Sequence, residues 1–373
     1  MKALFERQKF LHAFQAASSV VPSRSARPVL QCVKLGSTGE SAVLIGTDLE
    51  VAVRVEVDGF QATGAESLIL PSDRFGAILR ESAEDQLELE SDGRRIVVRG
   101  KTSQFQLPSI DPDEYPDVMS FEMESYHELP LAAFRELTRR TVFATDPEST
   151  RYALSGVLLE TLEDRLIAVA TDGRRLAKQE AAATRVGQQP MRSEPPVIPA
   201  RVMQLYERIL GEEDGMVQLA ASENDILVRA GRRTIFTRLL EGRFPRWRDV
   251  LPRREGTTQI ELPVEPFHAA VRQAAIMTDK EHRGVQFRFG EGTVELAAHG
   301  GELGESRIEL PIGYDGPAKE VKLDPRYVID FLRVLPAEKT IVLHLSDPNV
   351  AVLFTTDDDY AYVVMPLARD AAA

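Results

Sequence analysis

Three things are scarce in this 373-residue chain: cysteine, long apolar runs and positive charge. A single cysteine, Cys32, excludes an intrachain disulfide framework and a metal site built on cysteines. Its neighbours Val29, Leu30 and Val33 mark it as a buried, unreactive thiol. No stretch approaches the roughly 18 uncharged residues of a membrane span, and Met1–Phe10 lacks the apolar core of a signal peptide, so a cytoplasmic protein is expected. Lys and Arg number 45 against 58 for Asp and Glu, a net charge of −13. Taken as an average, that balance opposes binding to phosphate backbones, which needs concentrated cations.

Catalytic patterns are missing as well. The six histidines fall in no metal-ligand spacing. Gly100-Lys101-Thr102 resembles the end of a phosphate loop, but the position that would need glycine is Arg95. The acidic stretches Asp357-Asp358-Asp359 and Asp111–Asp117 lack the ligand spacing of a calcium loop and read as solvated turns. No Ser/His/Asp constellation stands out. No enzyme, no cofactor and no metal are therefore expected.

What is present is repetition. The composition, 43% hydrophobic and 28% charged, is that of a globular protein, and the length suggests two or three domains. A helix-start signature occurs three times, at Pro71-Ser72-Asp73-Arg74-Phe75, Pro199-Ala200-Arg201-Val202 and Leu323-Asp324-Pro325-Arg326-Tyr327. Its arginines lie 127 and 125 residues apart. A second helical pattern recurs in step with it: Phe10, Leu11, Phe14; Phe134, Leu137, Thr141; Phe267, Val271, Ala274. Between the helices run short alternating segments such as Ala42–Ile45, Val51–Val57, Leu166–Ala170 and Thr340–Leu345, bounded by turn residues. Asp92-Gly93 reads as a hairpin turn. The expectation is an α+β chain of three repeated domains, 1–124, 125–254 and 255–373, each with two helices and antiparallel sheets. The stretch Glu180–Pro196 reads as a loop inside the second domain.

Charge is unevenly spread. The six predicted helices carry a formal +4, which leaves −17 for the strands and loops. Such a chain could present its helices to DNA and repel it elsewhere. The competing reading is that Arg135, Arg139 and Arg140 merely solvate one helix face.

Several short motifs, in order along the chain, resemble the beta subunit of bacterial DNA polymerase III. They are Thr47-Asp48-Leu49-Glu50, Arg151-Tyr152, Thr171-Asp172-Gly173-Arg174-Arg175-Leu176, Gly242-Arg243-Phe244-Pro245, Arg283-Gly284-Val285 and Tyr362-Val363-Val364-Met365-Pro366. The resemblance implies a sliding clamp: a head-to-tail homodimeric ring around double-stranded DNA that tethers the replicative polymerase, the clamp loader and repair proteins. It also implies a slot for short client peptides lined by Arg151, Leu154, Thr171, Gly173, Arg174, Arg175, Leu176, Pro245, Val250, Val363, Val364, Met365, Pro366 and Leu367. For DNA it points to Arg24, Arg74, Arg139, Tyr152 and Arg201, and for the dimer to Phe105 and Leu107 against Ile276 and Met277. Arg174 stands where the family often has histidine, and Trp247 where it often has tyrosine. Two rival readings are a monomeric peptide-binding adaptor and a metal-dependent nucleic-acid-modifying enzyme.

Overall fold

The computed structural model describes the chain apart from residues 39–40, 150–152, 189–193, 211–214, 280, 302–303, 348 and 369–373. Its helices are α1 (Arg7–Ser18), α2 (Ser72–Glu81), α3 (Leu131–Thr141), α4 (Ala200–Ile209), α5 (Val264–Ala275) and α6 (Pro325–Arg333). They begin where the repeated signatures predict. At α6 the reason is explicit: the Asp324 carboxylate accepts the Arg326 N–H, and Pro325 occupies the first turn, where its missing N–H costs nothing.

The periodic apolar residues form the cores. Phe10, Phe14, Phe134, Leu137, Phe267 and Val271 are all buried. Within the first repeat the Phe10 and Phe14 rings lie 5.9 and 5.2 Å from Phe75 of α2, so each helix fixes the other. Each such ring contributes about 1.5–3 kcal/mol by leaving water, and Phe75→Ala would cost about 3–5 kcal/mol.

The chain forms two compact units. The first comprises Met1–Ala132, Ala183–Ser193 and Leu205–Leu239 and contains two sheets. One has five strands, ordered Phe60–Thr63, Lys2–Glu6, Gln86–Ser91, Arg95–Arg99 and Gln104–Pro108. The other has nine, in which Arg233–Arg238 lies beside Val51–Val57, which in turn pairs with Ala42–Thr47. The hairpin predicted at Asp92-Gly93 joins two of the five strands, and Gly93 takes the left-handed φ of 83° that this turn requires.

The second unit comprises Ala133–Ala182, Glu194–Gln204 and Leu240–Ala373 and repeats the scheme with eight and four strands. In the eight-stranded sheet Arg165–Thr171, Arg175–Ala182, Ala361–Val364 and Val352–Thr355 are neighbours. The four-stranded sheet runs Glu305–Pro311, Thr293–His299, Val285–Gly290 and Lys319–Leu323.

Three expectations change. The stretch Glu180–Pro196 is not simply a loop, because Thr184–Val186 pairs with Tyr126–Pro130 at the margin of the nine-stranded sheet. Arg140 does not solvate a helix face: its side chain is 1% exposed and bridges Glu136 at 2.7 Å and Asp358 at 2.9 Å. Gln179 accepts a further hydrogen bond from it, and the guanidinium lies over the Tyr360 ring. Asp358 stays in a turn, as expected, but its half-buried carboxylate is not merely solvated, since it anchors the buried Arg140 guanidinium. Cys32 is buried as expected, and desolvation pushes its thiol up to about 11, far from reactive thiolate.

Candidate functional site

The residues of the predicted client slot that can be described lie in the second unit, and a tight turn organises them. Thr171 Oγ1 donates to the Arg175 carbonyl (2.6 Å) and accepts from the Gly173 N–H (3.0 Å). The Asp172 carboxylate accepts the N–H groups of Arg174 (2.9 Å) and Arg175 (3.0 Å). Gly173 has φ of 84°, the conformation an Asx turn needs at this point. The turn leaves the Arg174 side chain exposed and sends that of Arg175 inward.

Arg175 is a hub. Its guanidinium bridges Asp172 at 3.0 Å and Asp330 of α6 at 2.7 Å, donates to the Phe143 carbonyl at 2.7 Å, and lies over the Tyr327 ring. At 10% exposure with its donors engaged, it positions the strand rather than offering a free cation to a ligand. Opposite it stands Val364, fully buried.

One register step on, Leu176 pairs with Val363. Both belong to an apolar cluster with Leu158, Val169, Leu353 and Trp247, against which Phe244, Leu240, Leu251 and Ala351 pack partly exposed. Trp247 was not among the predicted slot residues. It begins a short 3-10 turn, Trp247–Val250, and its indole is covered by Arg248, whose guanidinium is tied to Glu160 at 2.8 Å. The signals for it in the sequence were its place just after the Gly242–Pro245 motif and its standing where the family often has tyrosine. Pro245 and Leu154 are half-buried, whereas Val250 and Met365 are 45% and 43% exposed.

Past the paired strands the chain crosses between the unit's two sheets. The Met365 N–H donates to the Arg174 carbonyl and the Leu367 N–H to the Lys322 carbonyl, both at 2.8 Å. Met365, Pro366 and Leu367 thereby form one wall of a groove of about 1180 Å³, with Arg174 and Tyr327 beside them. The site therefore has an apolar floor and a polar groove, joined along the 174–176 and 363–365 pairing. Arg151 and Tyr152 lie outside the described residues.

The remaining predicted residues are dispersed. Arg24 is exposed in the loop after α1, Arg74 on the first turn of α2 beside Asp73, Arg139 on α3 and Arg201 on α4, all with exposed side chains. Phe105 and Leu107 sit on Gln104–Pro108, the edge strand of the five-stranded sheet, half-buried and buried respectively. Ile276, 70% exposed, and Met277 follow the end of α5. Among the described residues no cluster of His, Cys, Asp or Glu is arranged to hold a metal ion, and no helix is long and apolar enough to cross a membrane.

Repeated two-helix domains and sheets that end in open strand edges define a protein of the DNA-clamp class. Family models bear this out along nearly the whole chain: the DNA polymerase III beta subunit N-terminal domain matches 1–119, the central domain 128–246 and the C-terminal domain 248–368. The beta sliding clamp of Proteus mirabilis is 30% identical over 371 residues, covering 98% of this chain and all of that protein. That of Escherichia coli K12 is 29% identical with the same coverage. Among solved structures, the DNA polymerase III subunit beta of Pseudomonas aeruginosa superposes with a TM-score of 0.89 at 28% identity, covering 99% of this chain and all of that one. The sliding clamp of the same organism bound to griselimycin gives 0.90 at 28% identity, with equal coverage. The chain belongs to the beta sliding clamp family, the non-catalytic processivity factors of bacterial replication.

Proposed function

We propose that two copies of this chain close head to tail around duplex DNA, in the cytoplasm, and carry replicative polymerase, clamp loader and repair proteins by peptides held at the slot of the second unit. The domains 1–124, 125–254 and 255–373 are the repeating segments of that ring. The observation that carries the reading is a strand edge made twice within the chain and left open once. Thr237 of one repeat's last strand faces Val51, and Val364 of another's faces Arg175. The hairpin pairings Ile226 with Thr237, Val352 with Val364 and Ile96 with Leu107 make Leu107 the third member of that set. Likewise Thr47 with Ala52, Thr171 with Leu176 and His299 with Glu305 make Gly304 the counterpart of Val51 and Arg175.

Leu107 of one copy would thus lie opposite Gly304 of the other, and Phe105 opposite Ser306. Unpaired edge backbone is a costly invitation to association, and a closed ring removes both edges. Ser306 donates to the Ala274 carbonyl at the end of α5. A phenylalanine across from it, on the same sheet face, meets the region of Ile276 and Met277. Replacing Phe105 and Ile276 together by arginine should give a folded monomer by sedimentation, and a persistent dimer would refute the edge assignment.

DNA is held by linkage rather than by dense phosphate contact, with Arg24, Arg74, Arg139, Tyr152 and Arg201 as the cations and aromatic facing it. Clamps loaded on nicked circles should survive moderate salt and be lost on linearisation, whereas phosphate-driven binding would decay steeply with salt on both forms. Equal loss from circular and linear DNA would reject encirclement.

A further inference from the structure

The groove beside Met365–Leu367 has an electrostatic character that its apolar wall does not predict. Most of its cations are already answered by acids. Arg288 lies 3.3 Å from Glu295 and 3.8 Å from Glu320, and Arg307 lies 2.5 Å from Glu295. Asp324 is occupied by Arg326 at 2.5 Å. Two arginines of the lining differ: the side chains of Arg174 and Arg283 make no ion pair among the described residues, and both are exposed. Over the whole lining the charges balance, five basic side chains (Arg174, Arg283, Arg288, Arg307, Lys322) against five acidic ones (Glu281, Glu295, Glu305, Glu320, Asp324), so the two exposed guanidinium groups are a local feature of this end of the groove, with Glu281 the exposed acid near Arg283.

Their placement is defined by backbone. Arg174 holds the Met365 N–H through its own carbonyl, and Gly284, next to Arg283, lies against Lys322 and Leu367, where a Cβ would come within 3.1 Å of a Leu367 methyl. The 365–367 wall therefore runs from beside one arginine to beside the other. An extended peptide lying along it would place apolar side chains on Met365 and Leu367 and its flanking residues near the two guanidinium groups.

We infer that the clients of this clamp carry acidic residues flanking their apolar anchors, and that Arg174 and Arg283 select for them. The inference rests on the slot reading above and adds the charge of the ligand. Guanidinium forks favour carboxylates geometrically as well as by charge, but exposed pairs are weak and screened. The expected preference is accordingly modest and dependent on salt.

The test uses the intact dimer and synthetic ten-residue peptides that share a leucine-phenylalanine anchor pair and differ in their flanks, being aspartate, asparagine or lysine. Binding is read by fluorescence anisotropy at low salt and again at about 0.5 M salt. The aspartate peptide should bind about fivefold tighter than the asparagine peptide, and the lysine peptide weakest, with the differences shrinking in high salt. Arg174→Gln with Arg283→Gln should erase the preference, and Arg174→Glu with Arg283→Glu should favour the lysine peptide. Both sites are exposed, so folding should survive, and unchanged melting of the variants is the control. If all three wild-type affinities agree within error, the charge inference is wrong while the slot stands. If none of the peptides binds, or Met365→Ala leaves their binding unchanged, the slot reading itself has failed.

Discussion

Thr47–Val51 and Thr171–Arg175 are the same turn, built once in each compact unit. In the first, Thr47 Oγ1 donates to the Val51 carbonyl at 2.8 Å and accepts from the Leu49 N–H at 3.0 Å, while Asp48 accepts from Glu50 and Val51. Every one of these bonds has its counterpart at Thr171–Arg175. Each turn also launches a strand that pairs with the last strand of a neighbouring repeat. What differs is the cargo. The first turn ends in Val51, 3% exposed, and closes a plain hydrophobic seam. The second ends in Arg175, which ties the seam to α6 and leaves Arg174 and Met365 at the surface. Sheet geometry is thus set by threonine and aspartate, and function is added at positions the geometry leaves open.

The largest effect should come from breaking the charged version. Arg175→Met leaves Asp172 without its cation and Asp330 with only the exposed Arg333, a loss of about 3 kcal/mol in thermal or denaturant unfolding. Client-peptide binding should fall with it, because the strand that carries Leu176 is no longer anchored to α6. Val51→Ala, at the same place in the other turn, should cost about 2 kcal/mol through a cavity and leave peptide affinity untouched. A matched loss of affinity in both variants would show that Arg175 has no special hold on the slot.

Next comes the residue just beyond each seam. Met365 and Arg238 stand at equivalent positions after the last paired residues, Val364 and Thr237. Met365→Ala removes exposed slot surface, so affinity for a polymerase-derived peptide should drop about tenfold with melting little changed. Arg238→Ala should change neither. A large stability loss in Met365→Ala would mean the side chain packs in the core and serves the fold, not the ligand.

The same pair of turns shows what a sequence discloses. The helices and their buried faces are legible at Phe10, Phe134 and Phe267, because a local period reports burial whenever a helix must cover a sheet. Turn chemistry is legible too, as at Asp92-Gly93. The burial of Arg140 and Arg175 is not, since besides the local acids Glu136 and Asp172 each is held by a distant one, Asp358 or Asp330, 218 and 155 residues away. The local spacing shows an acid within reach but carries no mark of the distant partner or of burial. Glu305–Pro311 is a weakly marked edge strand for a related reason: Ile308 and Leu310 alternate with Arg307 and Glu309, and one half-apolar face is a weak signal. At the slot, the resemblance drew together residues such as Thr171, Leu176 and Val363, while Trp247, beneath them, belongs to no motif it supplied.

The smallest expected effect is also the sharpest use of the comparison, since it concerns one residue in each turn. Position three has φ of 79° in the first turn and 84° in the second, yet it is Leu49 in one and Gly173 in the other. A leucine in that region costs about 1–2 kcal/mol against a glycine, from contact between Cβ and the neighbouring carbonyl. Glycine returns part of this by raising the entropy of the unfolded chain, about 0.5–1 kcal/mol. Leu49→Gly should therefore stabilise the protein by about 0.5 kcal/mol, less whatever contact its 41%-exposed side chain makes. Gly173→Leu runs the other way. Open space surrounds the position where its Cβ would stand, so the cost is conformational alone, about 1 kcal/mol. Opposite signs in paired chemical denaturation curves would show that both turns impose one backbone and that Leu49 is tolerated under strain. Equal signs would mean that the two turns, which share their threonine and aspartate side-chain hydrogen bonds, differ in how firmly they hold φ.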